Sequence, residues 1–462
     1  MGRSAARRSP EGSRSPRSWR RRLPATIAVL ALLVAACGSR TDSGDEASDT
    51  TGATTATTSA PTETTAAVAD GDPDAPCGPG DAGGATEVGV TDDAIVIANI
   101  ADIGGPIPEI FVDNRRAIQA FVEYCNSLGG INGRPLELLE LDSALTEYRA
   151  AVERACNEAF AIVGGASVFD DTAVDVSEGC GIPDIVGFAA SPKHQLAATV
   201  IMPSPNSPRT QPVGAGRYIM ETYPEAAQNA AIFYAPSVAK TSALKQIEGY
   251  ESIGWNFVLK QEVPINETNW GPRVEALRSS GAQYVFMQAE YGMLAGLLKE
   301  MKAQGVEVQV VEGGSAMYKQ ELLDAGGDAV EGLLINSSTW PLFEIDQSPE
   351  LGRYAEWLET TNPGAEPAGL GIQSWSAGLL FATAAKALGS DLTRAGLLDE
   401  LHSIHEWDGH GIHGTSDPGA GMPSGCFVYL RVEGGEFVRH YPDEGFSCDR
   451  ERNIVTVTGT YE

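Results

Sequence analysis

Four histidines within twelve residues are the part of the sequence whose spacing points most directly to chemistry. Imidazole is the commonest side-chain ligand of transition metals, and two His-x-x-His pairs with acidic residues between them could hold a metal ion. The segment is rich in glycine and does not place its histidines on one face of a helix, so we expect polar loop residues and no metal or other cofactor. The residues concerned are His402, His405, His410 and His413, with Glu406 and Asp408 between them.

Motifs of covalent or phosphoryl chemistry are absent from the sequence. It has no Gly-x-Ser-x-Gly nucleophile elbow, no Gly-x-x-x-x-Gly-Lys phosphate loop and no His-Glu-x-x-His metalloprotease motif. Scattered serines, histidines and aspartates occur in any chain of this length and do not define a catalytic group. We therefore expect a binding protein and not an enzyme.

Segments typical of strands and helices alternate along the chain. Apolar β-branched runs are followed by stretches whose apolar residues recur at helical spacing. The alternation predicts an α/β fold of doubly wound parallel sheets covered by helices on both faces. The predicted strands are 95–100, 136–141, 161–163, 230–234, 257–262, 283–288 and 307–311, and the predicted helices are 115–128, 148–160, 241–252 and 273–279.

Ligands of such sheets lie beyond the carboxyl ends of the strands. The candidate binding segments are therefore those just after the predicted strands, and Asp102 is the first residue of the first such segment. These segments are 102–108, 164–170, 189–194, 235–241 and 289–293.

The amino end has the layout of a bacterial export signal. Eight arginines precede an apolar run at 23–36, whose 14 residues are fewer than the roughly 20 that span a bilayer. The run ends in Val-Ala-Ala before Cys37, which resembles the lipobox of bacterial lipoproteins, in which the cysteine is diacylated. We predict a signal peptide at 1–36, a lipid anchor at Cys37 and, because 37–86 has almost no large apolar residue, a disordered tether there.

The charge balance narrows the class of partner. Residues 1–36 contain eight arginines and one glutamate, so the remainder of the chain has 24 basic and 61 acidic residues. Nucleic acid and anionic lipid surfaces would both be repelled by this excess of negative charge. We expect neither as a partner, and the only membrane attachment that we expect is the lipid anchor.

The cysteines are typical of an exported protein. There are seven, and acylation of Cys37 would leave six that can pair in an oxidising compartment. Six cysteines can pair in many ways, so the sequence leaves the connectivity open. Local geometry favours Cys156 with Cys180 and Cys426 with Cys448, which leaves Cys77 with Cys125.

The turn at 128–136, Leu-Gly-Gly-Ile-Asn-Gly-Arg-Pro-Leu, resembles the end of the first helix in the type I periplasmic binding proteins of branched-chain amino acid uptake systems. Other stretches agree in order and spacing, and the similarity runs over about 90–440. They are Ile-Val-Gly-Gly at 162–165, Gly-Ile-Pro at 181–183, Ala-Ala-Ser at 189–191 and Gly-Asp-Ala-Val-Glu-Gly at 327–332.

This resemblance implies two Rossmann-like lobes that are joined by a hinge of three crossovers and close over a ligand. The crossovers are expected near 203–209, 335–339 and 414–423. Lobe 1 would comprise 88–208 plus 338–415, and lobe 2 would comprise 209–337 plus 416–462. Leucine-binding relatives carry a disulfide where Cys156 and Cys180 fall, on neighbouring helices of lobe 1.

The resemblance also implies how lobe 1 would bind. In amino-acid-binding relatives a hydroxyl after the third strand and groups after the fourth hold the ligand carboxylate, which points here to Ser167 and to Ala189, Ala190 and Ser191. Neutral donors at helix N-termini suit an anion, because the helix dipole favours negative charge there. A helix cap formed by Ser191 explains that residue equally well.

From lobe 2, relatives supply an aromatic residue and a carboxylate that meets the ligand ammonium. The matching positions are Tyr291 and Glu290, and Glu312 is a second acidic candidate after strand 307–311. A buried carboxylate requires a partner charge, so the acid that faces the cleft would select a cationic or zwitterionic ligand.

Three loops depart from the pattern of the relatives. Residues 102–106 are Asp-Ile-Gly-Gly-Pro, residues 169–171 are Phe-Asp-Asp where relatives are rich in serine and threonine, and 235–238 lacks the usual aromatic residue. A branched-chain amino acid is therefore not assumed as the ligand, since the broad family also takes amides, urea and aromatic acids.

Taken together, the residues and the resemblance predict a monomeric lipoprotein on the extracytoplasmic face of the cell membrane. It would bind an amino acid or a similar small polar metabolite and deliver it to an ABC permease. The alternatives are a ligand-sensing lipoprotein that acts on a receptor or kinase and, less favoured, a metal-binding protein built on the histidine cluster.

Overall fold

A computed structural model describes residues 75–236 and 238–459. The predicted signal peptide, Cys37 and most of the predicted tether lie outside these residues. Within the described ranges, no helix combines the length and the apolar character needed to cross a membrane.

The first sheet, which defines lobe 1, is parallel throughout. Most of its strands are short apolar segments, and most of their side chains are buried because helices cover both faces. They are β1 (Ile95–Ala101), β2 (Leu136–Asp142), β3 (Ala161–Val163), β4 (Ala166–Ser167), β5 (Asp184–Ile185), β6 (Phe188–Ala189) and β7 (Val200–Ile201). The order is β6-β4-β1-β3-β5-β7, and β2 also pairs with β1. The connecting helices are α1 (Val112–Ser127), α2 (Tyr148–Glu158), α3 (Val174–Cys180) and α4 (Pro192–Gln195).

The second sheet, which defines lobe 2, repeats the pattern and adds an antiparallel edge. The elements of lobe 2 up to the second crossover are β8 (Thr210–Pro212), which lies outside this sheet, α5 (Gly214–Thr222), α6 (Pro224–Gln228), β9 (Ala230–Tyr234), α7 (Val238–Ser252), β10 (Phe257–Glu262), α8 (Gly271–Ser280), β11 (Tyr284–Gln288), α9 (Tyr291–Ala303), β12 (Val310–Gly313), α10 (Gln320–Gly326) and β13 (Leu334–Ser337).

Three further helices return to lobe 1, and the chain ends on lobe 2. The helices are α11 (Pro349–Thr361), α12 (Gly369–Leu388) and α13 (Arg394–Ser403). The closing elements are β14 (Cys426–Glu433), β15 (Glu436–Tyr441), β16 (Ser447–Cys448), α14 (Arg450–Asn453) and β17 (Ile454–Thr456). Strand order in the second sheet is β10-β9-β11-β12-β13-β14-β15, and the pairs that involve β14 are antiparallel.

Each sheet has its own hydrophobic core. On lobe 1, α1 and α12 pack together through the fully buried Phe121 and Trp375, whose rings meet edge to face at 5.6 Å. On lobe 2, separate clusters lie on the two faces of the sheet, one around Leu294 and one around Tyr250. The predicted α/β fold with parallel-sheet lobes is confirmed.

The Gly-Gly-Ile-Asn-Gly turn after α1 has a direct steric basis. Gly130 has φ 77°, and a Cβ atom on it would lie 2.0 Å from the carbonyl oxygen of Arg134. Only glycine fits such a position, so this turn fixes how α1 leads into β2.

The chain passes between the two sheets three times, after β7, after β13 and before β14. These segments are hydrogen-bonded to one another: the Ser416 hydroxyl donates to the Pro203 carbonyl at 2.6 Å, and the Gly414 N–H donates to the Ser338 carbonyl at 2.8 Å. The crossings fall near the three expected positions, and the exact lobe limits stay predictions.

Among the described residues, three disulfides join Cys77 with Cys125, Cys156 with Cys180, and Cys426 with Cys448. The first one ties the amino-terminal arm, residues 75–86, to α1. The arm also makes a backbone bridge between Gly78 and Ile131. These residues were predicted to be part of the disordered tether, and that prediction is wrong for the arm because its cysteine and backbone are bound to lobe 1.

Candidate ligand-binding cleft

Asp102 and Ser167, both predicted from their positions after strands, lie together at the carboxyl ends of β1 and β4. The Ser167 hydroxyl donates to the Asp102 carboxylate at 3.2 Å, and both side chains are buried. The same carboxylate also accepts from the Ser143 hydroxyl at 2.6 Å and from the N–H groups of Leu145 and Val168, each at 2.8 Å. Asp102 therefore connects three post-strand loops by hydrogen bonds, and the Ser167 hydroxyl is one of its donors.

The backbone N–H groups after β6 are also hydrogen-bonded to a side chain of lobe 1. The N–H groups of Ala190 and Ser191 donate to the carboxylate of Asp170 at 2.6 and 3.0 Å. Ser191 also caps α4, because its hydroxyl accepts from the N–H of His194 at 3.2 Å. Asp170 was not predicted as a functional residue, although it stands in the post-strand segment 164–170 and is an acid where relatives are rich in serine and threonine.

His194 holds Asp170 in place. Its Nδ1 lies 3.0 Å from Asp170 and its Nε2 lies 3.0 Å from Asp184, with the Tyr148 hydroxyl 3.3 Å from Nε2. Burial alone would lower the pKa of His194, but hydrogen bonds and charge from Asp170 and Asp184 raise it to about 10. The imidazole is therefore protonated at neutral pH and is sandwiched between two buried carboxylates.

On lobe 2, Glu290 and Tyr291 follow β11 as expected. Glu290 is exposed and directly precedes α9, whereas Tyr291 is half-buried at its first position. The ammonium nitrogen of Lys319 lies 5.5 Å from the centroid of the Tyr291 ring, within the range of a cation–π contact. Lys319 was not among the predicted residues.

Glu312 lies elsewhere. Strand β12 ends later than the predicted 307–311, so Glu312 stands inside the strand and not after it. Its fully buried carboxyl group accepts from Tyr429 at 2.8 Å, Asn336 at 3.0 Å and Tyr284 at 3.1 Å. Burial raises the pKa of Glu312 to about 7, and these hydrogen bonds limit the rise. The structure therefore does not bring Glu312 together with Glu290 and Tyr291.

The strand ends of the two lobes approach each other near the starts of α1 and α12. Burial raises the pKa of Asp113 at the start of α1, and the charge of Lys319 on lobe 2 opposes that rise. A Cβ atom on Gly369 at the start of α12 would lie 3.9 Å from the carbonyl oxygen of Ser315, which follows β12. We therefore place the candidate cleft between the strand ends of the two lobes.

At the hinge side of this cleft, polar contacts run from one lobe to the other. The Asn206 amide donates to the carbonyl of Ala189 at 2.9 Å, and the Lys245 ammonium on α7 donates to the carbonyls of Asn206 and Ser207 at 3.3 and 2.8 Å. Burial lowers the pKa of Lys245 to about 8. Ala189 therefore contributes its carbonyl group to the hinge.

The histidine cluster is divided among separate partners. His405 lies 2.9 Å from Asp417, His410 lies 3.8 Å from Glu350, and the buried His413 lies 2.9 Å from the Ser376 hydroxyl. His402 contacts a carbonyl of its own helix, that of Leu398, at 2.7 Å. No group of three or more metal-ligating side chains occurs within 75–236 and 238–459.

Two concave surfaces lie away from the strand ends. One, of about 460 Å³, is on lobe 1 between α1, β2 and α11 beside Trp357; the other, of about 240 Å³, is on lobe 2 beside Arg431. Neither contains one of the post-strand segments, and we place the candidate site at the cleft because the lobes meet there.

Comparison with known proteins agrees with this architecture. Residues 94–436 match the family model described as periplasmic binding protein. The chain is 23% identical over 252 residues to the leucine-, isoleucine-, valine-, threonine- and alanine-binding protein of Pseudomonas aeruginosa, and the match covers 52% of this chain and 66% of that protein.

Solved structures share the fold at lower identity. A leucine-binding protein from Thermotoga maritima superposes with a TM-score of 0.61 at 19% identity, covering 75% of this chain and 97% of that one. A fatty acid ABC transporter substrate-binding protein from Thermomonospora curvata superposes with a TM-score of 0.65 at 19% identity, covering 81% and 96%. The family match over most of the chain, the paired parallel-sheet lobes and the shared cleft lead to one assignment: this chain belongs to the periplasmic binding protein family.

Proposed function

We propose that this chain is the extracytoplasmic substrate-binding lipoprotein of an ABC importer, and that it captures a metabolite of about amino-acid size between its lobes. The observation that carries this proposal is the cleft itself. Post-strand loops of two separate cores border it, and three hydrogen-bonded crossovers connect the cores. Such an arrangement lets the lobes rotate as rigid bodies about a short hinge.

The relatives support capture of a small molecule. The matched curated protein is named for binding leucine, isoleucine, valine, threonine and alanine, and a superposed structure is named for a fatty acid transporter. At the strand ends of lobe 1, the buried acidic side chains and His194 are hydrogen-bonded to one another. Because these groups have structural partners, their arrangement also agrees with a role in binding. An ABC permease in the membrane is the partner to which the loaded protein would deliver its ligand.

The membrane anchor in this proposal is a diacylated Cys37, supported by the lipobox-like sequence that precedes it. The arm at 75–86 is bound to lobe 1, so the free tether would run from Cys37 to about residue 74. Cys37→Ala should release the protein from membranes into the soluble extracytoplasmic fraction, whereas Cys77→Ala should leave it membrane-bound. Retention of the Cys37→Ala protein on membranes would contradict the lipid anchor.

Ligand capture can be tested on the purified chain with a panel of amino acids, amides, ureas and short carboxylic acids. A true ligand should raise the melting temperature and reduce the radius of gyration in X-ray scattering, because it stabilises the closed state. Deletion of the gene should then abolish uptake of that compound by intact cells. Chemical turnover of a panel member would contradict the binding role, and normal uptake after deletion would contradict the import role.

A further inference from the structure

The segment that follows the second crossover is in contact with both lobes. It includes a short 3-10 helix, Leu342–Gln347, and leads from β13 of lobe 2 into α11 of lobe 1. The side chain of Leu342 packs against the lobe 1 core that contains Phe121 and also against the lobe 2 core that contains Leu294. We call residues 340–345 the interlobe clasp.

Apolar contacts join the interlobe clasp to lobe 1. The side chains of Trp340 and Ile345 pack against the lobe 1 core. The N–H group of Trp340 donates to the carbonyl of Ile412 at 2.8 Å, and Ile412 is a fully buried member of the same core. The attachment of the clasp to lobe 1 therefore rests on packing and on the direct continuation of the chain into α11.

A charged pair joins the interlobe clasp to lobe 2. Arg439 on β15 donates to the two carboxylate oxygens of Glu344, each at 2.6 Å, and each of the two side chains is 10% exposed. The guanidinium of Arg439 also donates to the carbonyls of Pro442 and Gly445 at 3.2 and 2.7 Å, which fixes it on lobe 2. A bidentate pair of this kind has a defined geometry, so it resists rotation of one partner relative to the other.

Two further contacts with lobe 2 lie on the same segment. The N–H group of Leu342 donates to the Tyr318 hydroxyl at 2.9 Å, and the rings of Trp340 and Phe446 meet edge to face at 5.6 Å. Tyr318 is a member of the lobe 2 core, and Phe446 packs against that core. The clasp is therefore bonded to lobe 2 through one ion pair, one backbone hydrogen bond and one aromatic contact.

We infer that the interlobe clasp, through the ion pair of Glu344 with Arg439, holds the two lobes in the arrangement of this structure before any ligand is bound. The three crossovers alone would let the lobes rotate. Because the clasp is attached to lobe 1 by packing and to lobe 2 by the ion pair, such a rotation must separate two largely buried charges, which is unfavourable.

The consequence for binding rests on the proposed function and deepens it. A protein whose binding-competent arrangement is only partly populated binds its ligand more weakly in proportion to that population. A clasp that keeps the strand ends of the lobes close together without ligand removes much of this loss.

The test measures the distance between the lobes on the full chain without ligand. Asp171 follows β4 on lobe 1 and Glu290 follows β11 on lobe 2, and both are exposed, so cysteine substitution there allows spin labels to be attached. Pulsed electron paramagnetic resonance should give one narrow distance distribution for the labelled protein with an intact clasp. Glu344→Gln combined with Arg439→Gln removes both charges and leaves neither unpaired, and it should broaden this distribution or shift its maximum by at least about 5 Å.

A second variant covers the case in which the double variant does not fold. Tyr318→Phe removes only the hydroxyl that accepts from the Leu342 N–H group, and it should broaden the distribution in the same direction to a smaller extent.

A matched ion pair within lobe 2 separates lobe rotation from a general loss of stability. Arg273 and Glu267 lie 2.9 Å apart, and their side chains are 23% and 14% exposed. Glu267→Gln combined with Arg273→Gln should leave the distance distribution unchanged, because both partners move with one lobe. A broad distribution with the clasp intact, an unchanged distribution in the clasp variants, or equal broadening in the control would each overturn the inference. Ligand capture is tested separately by the metabolite panel and would stand after any of these results.

Discussion

The Nδ1 atom of His194 lies 3.0 Å from a carboxylate oxygen of Asp170, and neither side chain is accessible to ligand or solvent. This contact gives the strand-end segments of lobe 1 a structural role. Ser167, Ala190 and Ser191, which were predicted to bind a ligand, are hydrogen-bonded to Asp102 and Asp170, and these acids fix the loops at the strand ends.

Removing Asp170 should destabilise the fold more than removing the acid beside it. Asp170→Ala leaves two N–H groups and the Nδ1 side of a protonated imidazole without their acceptor, so we expect a loss of about 3 kcal/mol in the free energy of unfolding at neutral pH. Asp171 is exposed, and Asp171→Ala should cost less than about 0.5 kcal/mol. Urea denaturation of the two variants checks this, and equal losses would show that the Asp170 contacts contribute little.

His194 should make stability fall at alkaline pH. Its pKa is raised from 6.5 to about 10 in the folded state, so its contribution is fully present below pH 6.5 and is lost as the pH rises through about 10. His194→Asn should lower the free energy of unfolding by about 3 kcal/mol near neutral pH, and the difference from the wild type should shrink towards pH 10. Denaturation curves across this window measure the effect, and a constant difference would contradict a protonated His194.

The free energy of unfolding should fall as the pH rises and the buried carboxyl group of Glu312 loses its proton. The folded pKa of about 7 exceeds the ordinary 4.5, so the contribution is fully present below pH 4.5 and is lost as the pH rises through about 7. Glu312→Gln keeps the shape of the protonated side chain. We expect the stability of the variant relative to the wild type to rise by on the order of 3 kcal/mol from pH 4.5 to slightly above 7. Parallel pH profiles of the two proteins would be the contrary result.

The disulfide between Cys77 and Cys125 should hold the amino-terminal arm on lobe 1. Replacing both cysteines by serine should lower the free energy of unfolding by about 2–4 kcal/mol and expose 75–86 to limited proteolysis. Mass spectrometry of the fragments identifies the cleavage sites. Unchanged resistance of the arm in the double variant would mean that its hydrogen bonds, such as that from Thr86 to the Leu392 carbonyl, suffice.

Much of the fold follows from local patterns in the chain. Apolar β-branched runs predicted β1, β9 and β11 within a residue or so, because a strand buried on both faces must be apolar throughout. The edge strand β10 was predicted with the same accuracy, although its side chains are alternately exposed. Helical spacing likewise predicted α1 and α2 within a few residues. The Gly-Gly-Ile-Asn-Gly turn can be recognised in the sequence because its backbone geometry requires glycine: a side chain on Gly130 would clash with the backbone of Arg134.

The contacts inside the cleft could not be predicted in the same way. Asp170 meets Ala190 and Ser191 only because β4 and β6 pair in parallel and end side by side. Glu312 was misplaced because a shift of the end of β12 by two residues moves a side chain from a loop into the sheet.

The sequence by itself determined the alternation of strands and helices, the resemblance of residues 1–37 to a lipoprotein signal and the excess of negative charge, because each is a property of neighbouring residues or of composition. Only the tertiary structure decided which donors are free to meet a ligand. Hydrogen-bond capacity at a strand end depends on residues far apart in the chain, and at lobe 1 Asp102 and Asp170 occupy it.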